Sequence, residues 1–394
     1  MTSPVLLVVD DEPMICALVA RVGIAMGFDV MTLNDSREIP RALDRSPSVI
    51  VLDLSMPGFD GIEVLRYLAE HGTDAAIILM SGFDHRVLTS TSRLAVQLGL
   101  TVGGVLEKPL RLPAIKEMLR AQRSQTSPPG EAPTPPPLEE FQLALARHEL
   151  ELHYQPQVDL RTRRWVGVEA LVRWRHPSRG LLYPNSFVGM AEQNGLALSL
   201  TDEVIDIALR EYNPRCFGYP TAISLAINLP PVALTDRGFP EQVLHRLDAA
   251  GRAVAGIHFE VTETSVAENP ALALEILTRL RLKGFGLALD DFGTGHSSME
   301  ILYDLPFDEL KIDLQFVRVI DKDPAARSIV ANSATLAREL GLTVVAEGIE
   351  TAAIMDIVAS VGADVGQGYH IARPMQWSAL GDWVQSWHAS DATE

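Results

Sequence analysis

The sequence predicts two α/β domains in one chain: a flavodoxin-like, doubly wound (βα)5 domain followed by a TIM-like (β/α)8 barrel. The chain has 394 residues, more than a single hydrophobic core usually serves. Short apolar strands alternate with amphipathic stretches along most of its length, as in α/β proteins. A proline-rich stretch interrupts the alternation. The predicted boundaries are therefore 1–123 for the first domain, 124–137 for a linker, 138–388 for the barrel and 389–394 for a tail.

Five strand candidates are spread through the first segment. They are VLLVV (5–9), DVMTL (29–33), SVIVL (48–52), AIILM (76–80) and VGGVL (102–106). Amphipathic stretches such as PMICALVARVGIAM separate them, so the connections are long enough to be crossover helices between parallel strands. Ligands of such sheets bind at the carboxyl ends of the strands.

Polar residues collect at that predicted edge. Asp10 and Asp11 follow the first strand, Asp53 follows the third, Ser81 the fourth and Lys108 the fifth. One aspartate after a strand is often a helix N-cap, so the inference depends on the complete set. Three carboxylates at one rim need a cation, and oxygen ligands suit Mg²⁺. Asp53 is then a candidate nucleophile towards a phosphoryl group, with Lys108 and Ser81 contacting the transferred group.

The linker is recognised by its composition. Residues 124–137 read SQTSPPGEAPTPPP, which places six prolines in fourteen residues. Such a stretch packs neither as helix nor as sheet, and it is predicted to be extended and semi-rigid.

Eight strand candidates follow in the second segment. They are ELHYQPQVDL (151–160), VGVEALVRW (166–174), AISLAINL (222–229), GIHFEVTE (256–263), GLALDD (286–291), ELKID (309–313), LTVVAEG (342–348) and ADVGQGY (363–369). Helical stretches such as NPALALEILTRLRLKG lie between them. Eight strands in about 250 residues are typical of a (β/α)8 barrel, whose active sites form at the C-terminal strand ends.

The predicted barrel strands end in polar side chains. They are Glu169, Asn228, Glu260, Asp290, Asp291, Lys311, Glu347 and Gln367. Each of these alone has an ordinary explanation, as a solvated carboxylate, a cap or a turn residue. Together the acids exceed what one cation needs, whereas two divalent ions about 3.5–4 Å apart hydrolyse phosphate esters in many enzymes. Lys311 is the cation of the set and is placed to orient or deprotonate a water, so spacing alone predicts a metal-dependent phosphoesterase.

The adjacent Asp290 and Asp291 raise a geometric question. Successive side chains of a regular strand face opposite sides of the sheet. Both carboxylates therefore reach one site only if the strand ends or bends there, and Gly293 and Gly295 supply conformational freedom directly afterwards.

Composition excludes several function classes. A net charge of −18 argues against binding long nucleic acids, although a small anion can bind through metal cations. Cys16 and Cys216 lack the spacing of a zinc or redox site, which predicts a reducing compartment without disulfides. No apolar run approaches the roughly 18 residues of a membrane span, and the N-terminus does not read as a signal peptide. We therefore expect a cytoplasmic protein without a membrane partner.

VVDDEP, LDLSMPGFDG, LMSG and LEKP follow one another through residues 1 to 123. These motifs resemble those of receiver domains in bacterial two-component response regulators. The resemblance implies that a sensor histidine kinase or a phosphotransfer protein phosphorylates Asp53, with Asp10 and Asp11 binding Mg²⁺. Val105 stands where such domains usually have tyrosine or phenylalanine, three residues before the motif lysine. An aromatic switch is therefore not expected to transmit the signal.

EALVRWRHP, INLPP, FEVTET, LALDDFGTGHSS, LKID, VVAEGIET and GQGYHIARPM follow in order through residues 138 to 388. They resemble the motifs of EAL-domain cyclic di-GMP phosphodiesterases. The resemblance implies two Mg²⁺ or Mn²⁺ ions. One ion would be bound by Glu169, Asn228, Glu260 and Asp290, and the other by Asp290, Asp291 and Glu347.

The same resemblance implies roles for the residues around the metals. Lys311 would hold or activate the nucleophilic water. Gln367 would support the residues around that water and belong to the substrate-binding set. Gln155 and Arg173 match positions that contact the dinucleotide, and Glu263 matches an anchor for the DFGTG loop.

Three further positions are less tightly defined by the resemblance. Glu350 matches another motif acid. His296 and Met299 replace the tyrosine and leucine that usually follow DFGTG, and neither residue is among the expected ligands.

The combined prediction is a response regulator whose barrel hydrolyses cyclic di-GMP to linear pGpG, with phosphorylation of Asp53 modulating the rate. A homodimer is expected because the family often dimerises through its EAL domain. The modulation is hypothesised to act through dimer geometry and loop order. Two alternatives remain open: a catalytically silent cyclic di-GMP receptor, and a phospho-dependent scaffold for partner proteins.

Overall fold

The computed structural model describes residues 4–57, 59–82, 85–125, 136–213, 217, 223–293 and 298–391. The chain divides into two compact units, Met1–Thr134 and Pro135–Glu394. Some positions discussed above lie outside the described residues, namely Cys216, Gly295, His296, residues 126–135 of the linker and residues 392–394 of the tail. In the part of the chain that is described, no helix combines the length and apolar character needed to cross a membrane.

The first unit contains a parallel sheet of five strands and five helices. The strands are β1 (Val5–Val9), β2 (Asp29–Leu33), β3 (Val49–Asp53), β4 (Ala76–Ser81) and β5 (Val102–Glu107). The helices are α1 (Pro13–Ala25), α2 (Ile39–Leu43), α3 (Gly61–His71), α4 (His85–Gln97) and α5 (Leu112–Gln125). The strand order is β2-β1-β3-β4-β5, and every pair is parallel.

The sheet is covered by helices on both faces. Leu7 of β1 packs in a cluster with residues of α2, α3 and α4, whereas Leu6 and Val8 pack in another with residues of α1 and α5. Alternate side chains of one strand thus point into two separate cores, which is why β1 reads as a continuous apolar run. The predicted doubly wound domain is confirmed.

The second unit contains a closed barrel of eight strands and one short additional strand. The barrel strands are β6 (Leu150–Asp159), β7 (Trp165–His176), β9 (Ser224–Asn228), β10 (Ile257–Thr262), β11 (Gly286–Phe292), β12 (Glu309–Ile312), β13 (Thr343–Ala346) and β14 (Val365–Gly366). The additional strand β8 (Gly180–Leu182) pairs with the end of β7. The order around the barrel is β6-β7-β9-β10-β11-β12-β13-β14, and pairing of β14 with β6 closes it.

One helix precedes the first barrel strand, and the others follow the strands. The helices are α6 (Leu138–Ala146), α7 (Val188–Gln193), α8 (Ala197–Glu211), α9 (Phe239–Ala249), α10 (Glu263–Glu268), α11 (Pro270–Leu282), α12 (Ser298–Asp304), α13 (Leu314–Val317), α14 (Pro324–Glu339), α15 (Ala352–Ser360) and α16 (Leu380–Asp391). The barrel prediction is confirmed, and the eight predicted strands correspond to the eight observed ones.

One strand departs from a regular (β/α)8 barrel, because β6 runs antiparallel to both of its neighbours. Five residues, 160–164, connect β6 to β7. A crossover between parallel strands needs a dozen or more residues, so this connection can only form a hairpin. Asp159 fixes the turn, since its Oδ1 accepts hydrogen bonds from the backbone N–H and the hydroxyl of Thr162 at 2.6 and 2.7 Å.

Candidate active site

A polar pocket lies at the carboxyl edge of the first unit's sheet, where the sequence predicted it. The Lys108 Nζ is 2.9 Å from Asp10 Oδ2 and 3.1 Å from Asp53 Oδ2. Asp10, Asp53 and Ser81 are buried, and the Lys108 backbone N–H donates to the Ser81 carbonyl at 2.9 Å. Burial lowers the pKa of an ammonium, but hydrogen bonds to Asp10 and Asp53 raise the pKa of Lys108 above its usual value. The lysine is therefore a cation.

The donor set of this pocket fits a divalent cation. One carboxylate oxygen each from Asp10, Asp11 and Asp53 lie within 4.8 Å of one another. The Asp53 Oδ1 is buried and has no hydrogen-bond partner among the described residues. Burial raises the pKa of Asp10 although Lys108 and the Glu12 backbone N–H both bind its carboxylate, so a further cation would favour its charged form. Oxygen ligands at this spacing suit Mg²⁺.

Val105 lies in β5, three residues before Lys108. It pairs with Leu79 of β4, is partly buried and packs against the apolar cluster that faces α2, α3 and α4. It has no ring and no polar atom that could reorient towards Ser81.

The barrel rim contains a buried lysine surrounded by acids. The Lys311 Nζ lies 2.6 Å from Glu260 Oε2, 2.6 Å from Glu347 Oε1, 3.4 Å from Asp290 Oδ2 and 3.9 Å from Glu169 Oε2. The Lys311 side chain is 1% exposed. We call these five residues the Lys311 cluster. Strands β7, β10, β11 and β12 and the loop after β13 bring them together.

One ammonium cannot neutralise the four carboxylates of the Lys311 cluster. Burial lowers the pKa of Lys311, but the carboxylates around it raise that pKa well above its usual range. Burial raises the pKa of Glu260 far above its ordinary value and that of Glu347 to about 8, against the opposing charge of Lys311. The site therefore lacks positive charge, which protons or metal cations would supply.

The barrel donor set also fits divalent cations. The Glu260 Oε1 is buried and has no hydrogen-bond partner in the described part of the chain. Asn228 donates through Nδ2 to Glu169 Oε1 at 2.8 Å, so its Oδ1 is the atom that would serve as a ligand. Carboxylate and amide oxygens of this kind are the ligands preferred by Mg²⁺.

Glu169 is fixed by amides on its other side. It lies inside β7, opposite Gln155 of β6, and not at the strand end as its sequence position suggested. The Gln367 Nε2 donates to Glu169 Oε2 at 2.6 Å and to Gln155 Oε1 at 3.0 Å. The Gln157 Nε2 donates to Gln367 Oε1 at 2.9 Å. Gln157 was missed in the sequence, although strand alternation places it on the same face as Gln155.

The Asp290-Asp291 pair lies at a bend in β11. The pairing of β11 with β12 shifts register between Leu289 and Phe292. Asp291 itself has φ +56°, a left-handed conformation that costs a non-glycine residue about 1–2 kcal/mol. Its burial, the adjacent Asp290 and a hydrogen bond with Asp313 raise the pKa of Asp291 to about 7. The predicted bend exists, and it begins at Asp291, two residues before Gly293.

The loop that holds Glu347 is locked to the loop after β14. The Ile349 backbone N–H donates to the Gln367 carbonyl at 3.0 Å. A Cβ on Gly368 would lie 2.2 Å from the Ile349 backbone nitrogen, so only glycine allows this approach. Beyond it, Glu350 forms an ion pair with Arg318 at 2.8 Å on the cleft wall.

Arg173 and Glu263 are both buried. Arg173 lies in β7, and its guanidinium carbon is 4.9 Å from the centroid of the Tyr183 ring. Glu263 is the first residue of α10, directly after β10. Part of the DFGTG loop that Glu263 was expected to anchor, residues 294–295, is outside the described residues.

The chain matches two family models. The EAL domain model matches residues 138–374, and the response regulator receiver domain model matches residues 6–120. These ranges contain the Lys311 cluster and the Asp53 pocket respectively.

Individual relatives share one or both parts. "Cyclic di-GMP phosphodiesterase RocR" of Pseudomonas aeruginosa is 32% identical over 377 residues, which cover 94% of this chain and 95% of that protein. "Cyclic di-GMP phosphodiesterase PA2567" of the same bacterium is 38% identical over 237 residues, covering 59% of this chain and 40% of that protein. A solved structure described as "PaMucR Phosphodiesterase, c-di-GMP complex" superposes with a TM-score of 0.59 and 36% identity, covering 62% of this chain and 98% of that one.

Proposed function

Because this chain belongs to the EAL domain family and carries a receiver domain before its barrel, we propose that it hydrolyses cyclic di-GMP to linear pGpG. The observation that carries the proposal is the Lys311 cluster, a buried cation among four carboxylates at the barrel rim. Similarity to RocR over almost the whole length supports the same combination of domains with phosphodiesterase activity.

The metal ligands in this proposal are the acids and the amide of the rim. They are Glu169, Asn228, Glu260, Asp290, Asp291 and Glu347. Two bound Mg²⁺ or Mn²⁺ ions would lower the pKa of a shared water and stabilise charge on the attacked phosphate. The bend at Asp291 turns the backbone directly after Asp290, which supports a role for both carboxylates at one site.

Lys311 acts on the nucleophilic water in this mechanism. Its ammonium donates a hydrogen bond to Glu260 at 2.6 Å and contacts Glu347 at the same distance. The side chain is thereby held at the centre of the acids, where it orients the attacking oxygen by donating a further hydrogen bond.

Gln367, Gln155 and Gln157 act as supports for Glu169. Each amide donates or accepts within one connected chain that ends on the Glu169 carboxylate. Residues that orient a ligand in this way keep it in its binding geometry before the metal arrives.

The activity is tested on the full-length protein. We expect purified protein to convert cyclic di-GMP to pGpG with Mg²⁺ or Mn²⁺, to lose turnover in a chelator and to regain it when the metal is restored. A silent receptor or a scaffold would give no pGpG under any of these conditions. Absence of turnover, with tight substrate binding that Glu169→Ala leaves unchanged, would sink the enzyme proposal in favour of the receptor.

Phosphorylation of Asp53 is proposed to modulate this activity. Phosphorylation replaces the single negative charge of the Asp53 carboxylate with an acyl phosphate of nearly two negative charges, next to Lys108, whose Nζ already contacts Asp53 at 3.1 Å. We expect a small-molecule phosphodonor with Mg²⁺ to change kcat of the wild type by on the order of fivefold. Asp53→Asn should remove the response, whereas Asp44→Asn, an exposed aspartate of the same unit, should keep it. Equal responses of the two variants would contradict the proposal.

The remaining expectations are also proposals, which rest on the residue pattern, the composition and the family resemblance. They are a Mg²⁺ ion at Asp10, Asp11 and Asp53, a sensor histidine kinase or phosphotransfer protein as phosphodonor, a homodimer and a cytoplasmic location. With Val105 in place of an aromatic residue, we propose that the phosphorylation signal acts through dimer geometry and loop order.

A further inference from the structure

Pairing of β7 with β8 brings an aromatic residue opposite Arg173. The two strands are antiparallel, and Trp174 pairs with Leu182. The next position of the same register places Arg173 across from Tyr183, which directly follows β8. The guanidinium carbon lies 4.9 Å from the Tyr183 ring centroid, within the range of a cation–π interaction.

Arg173 has few other contacts that fix its orientation. Its Nη1 donates to the carbonyl of its own neighbour Val172 at 2.8 Å, and its Nε has no hydrogen-bond partner among the described residues. Within those residues, no carboxylate forms an ion pair with it. The Tyr183 ring therefore supports the guanidinium where side-chain hydrogen bonds and ion pairs do not.

Tyr183 is itself held by its backbone. The Tyr183 carbonyl accepts hydrogen bonds from the backbone N–H and the hydroxyl of Ser186 at 3.0 and 2.6 Å. The segment is anchored by Phe187, which is fully buried. The Tyr183 side chain is 59% exposed, so the ring adds little to the core.

Strand geometry relates Arg173 to the Lys311 cluster. Glu169, Leu171 and Arg173 alternate along β7 and therefore share one face. Four residues of strand span about 13 Å, so the Arg173 backbone lies about that far along β7 from the Glu169 backbone. A dinucleotide bound at Glu169 by its scissile phosphate would reach Arg173 with its distal half.

We propose that Tyr183 is a positioning residue, whose ring holds the Arg173 guanidinium towards the distal half of the substrate. This inference rests on the proposed phosphodiesterase function. Without the ring, Arg173 samples more rotamers, and binding must restore the productive one. The loss falls on substrate binding and not on the chemistry at the metals.

The test compares full-length wild type, Tyr183→Ala, Tyr183→Phe, Arg173→Ala and the double variant Arg173→Ala/Tyr183→Ala with cyclic di-GMP and Mg²⁺. We expect Tyr183→Ala to raise KM about 3- to 10-fold with kcat nearly unchanged. Tyr183→Phe keeps the ring and should stay within about twofold of wild type. The double variant should match Arg173→Ala alone, because the ring acts only through the arginine. Leu282→Ala, at an exposed site at the end of α11, serves as the surface control.

Two results would overturn the inference: an unchanged KM in Tyr183→Ala, or an equal KM increase when Tyr183 is removed from the Arg173→Ala background. If the wild type shows no turnover, the proposed function fails by itself. The same proteins are then compared by their dissociation constants for cyclic di-GMP. Weaker binding by Tyr183→Ala but not by Tyr183→Phe supports the positioning role, and equal constants refute it.

Discussion

Replacing Lys311 with methionine is expected to lower kcat for cyclic di-GMP by on the order of a thousandfold. Methionine has a similar length but neither donates to the attacking water nor offsets the surrounding charge. Lys311 contacts four carboxylates within 4.0 Å and is 1% exposed, so solvent cannot replace it. The measurement is steady-state production of pGpG at saturating metal and substrate.

The same variant should also reveal the charge balance of the site. Removing one partner of a buried ion pair typically costs about 3–5 kcal/mol, and here several acids lose their partner together. We expect the metal-free variant to unfold at a lower temperature than wild type, and saturating Mg²⁺ to reduce the difference. Lys322→Met changes a lysine that is 79% exposed and should alter neither kcat nor Tm. A Lys311→Met kcat within tenfold of wild type would remove Lys311 from the mechanism.

Asp290→Asn is the second change with a large expected effect. The Asp290 Oδ2 lies 3.4 Å from Lys311 Nζ, and its Oδ1 accepts from the Asp291 backbone N–H at 2.9 Å. An amide fits the same space but would supply no negative charge to a bound divalent cation. Metal stabilisation of the transition state is worth several kcal/mol, so kcat should fall about a thousandfold.

Although Asp290→Asn should lower kcat, it should not lower the thermal stability of the metal-free protein. The substitution removes one of four carboxylates packed around a single lysine, so repulsion in the metal-free protein decreases. We expect an equal or higher Tm without metal and a smaller rise in Tm on adding Mg²⁺. The matched control is Asp356→Asn, whose carboxylate is 70% exposed and pairs with Arg163 at 3.0 Å. If Mg²⁺ raised the Tm of Asp290→Asn as much as it raises the Tm of wild type, Asp290 would not be a metal ligand.

Much of the fold follows from local pattern. The five strands of the first unit and the eight barrel strands were predicted within a few residues, because buried parallel strands read as apolar runs between amphipathic helices, whereas the short β8 was missed. The parallel strands then place Asn228, Lys311 and Glu347 at one rim without further information. The resemblance named the same residues, and the geometry brings Lys311 to 2.6 Å from Glu347 and Asn228 to 2.8 Å from Glu169.

Other features depend on information that strand counting does not contain. The antiparallel β6 follows from the short connection 160–164, a signal that was present but that the count of eight strands ignored. The left-handed Asp291 is not readable from periodicity, because aspartate tolerates φ +56° better than most residues but an apolar strand pattern predicts extended backbone there. The contact between Tyr183 and Arg173 depends on the register of β8, which periodicity alone does not define.

The lysine at the centre of the Lys311 cluster affects how the barrel folds. The barrel strands bring four carboxylates close together. Repulsion between these carboxylates would oppose closure of the barrel if all of the compensating positive charge had to come from dissolved ions. Lys311 is part of β12, so one positive charge is present from the moment the chain is synthesised. The barrel can therefore close before a metal is captured, and an apoprotein with native strand pairing should precede the loaded enzyme during biogenesis.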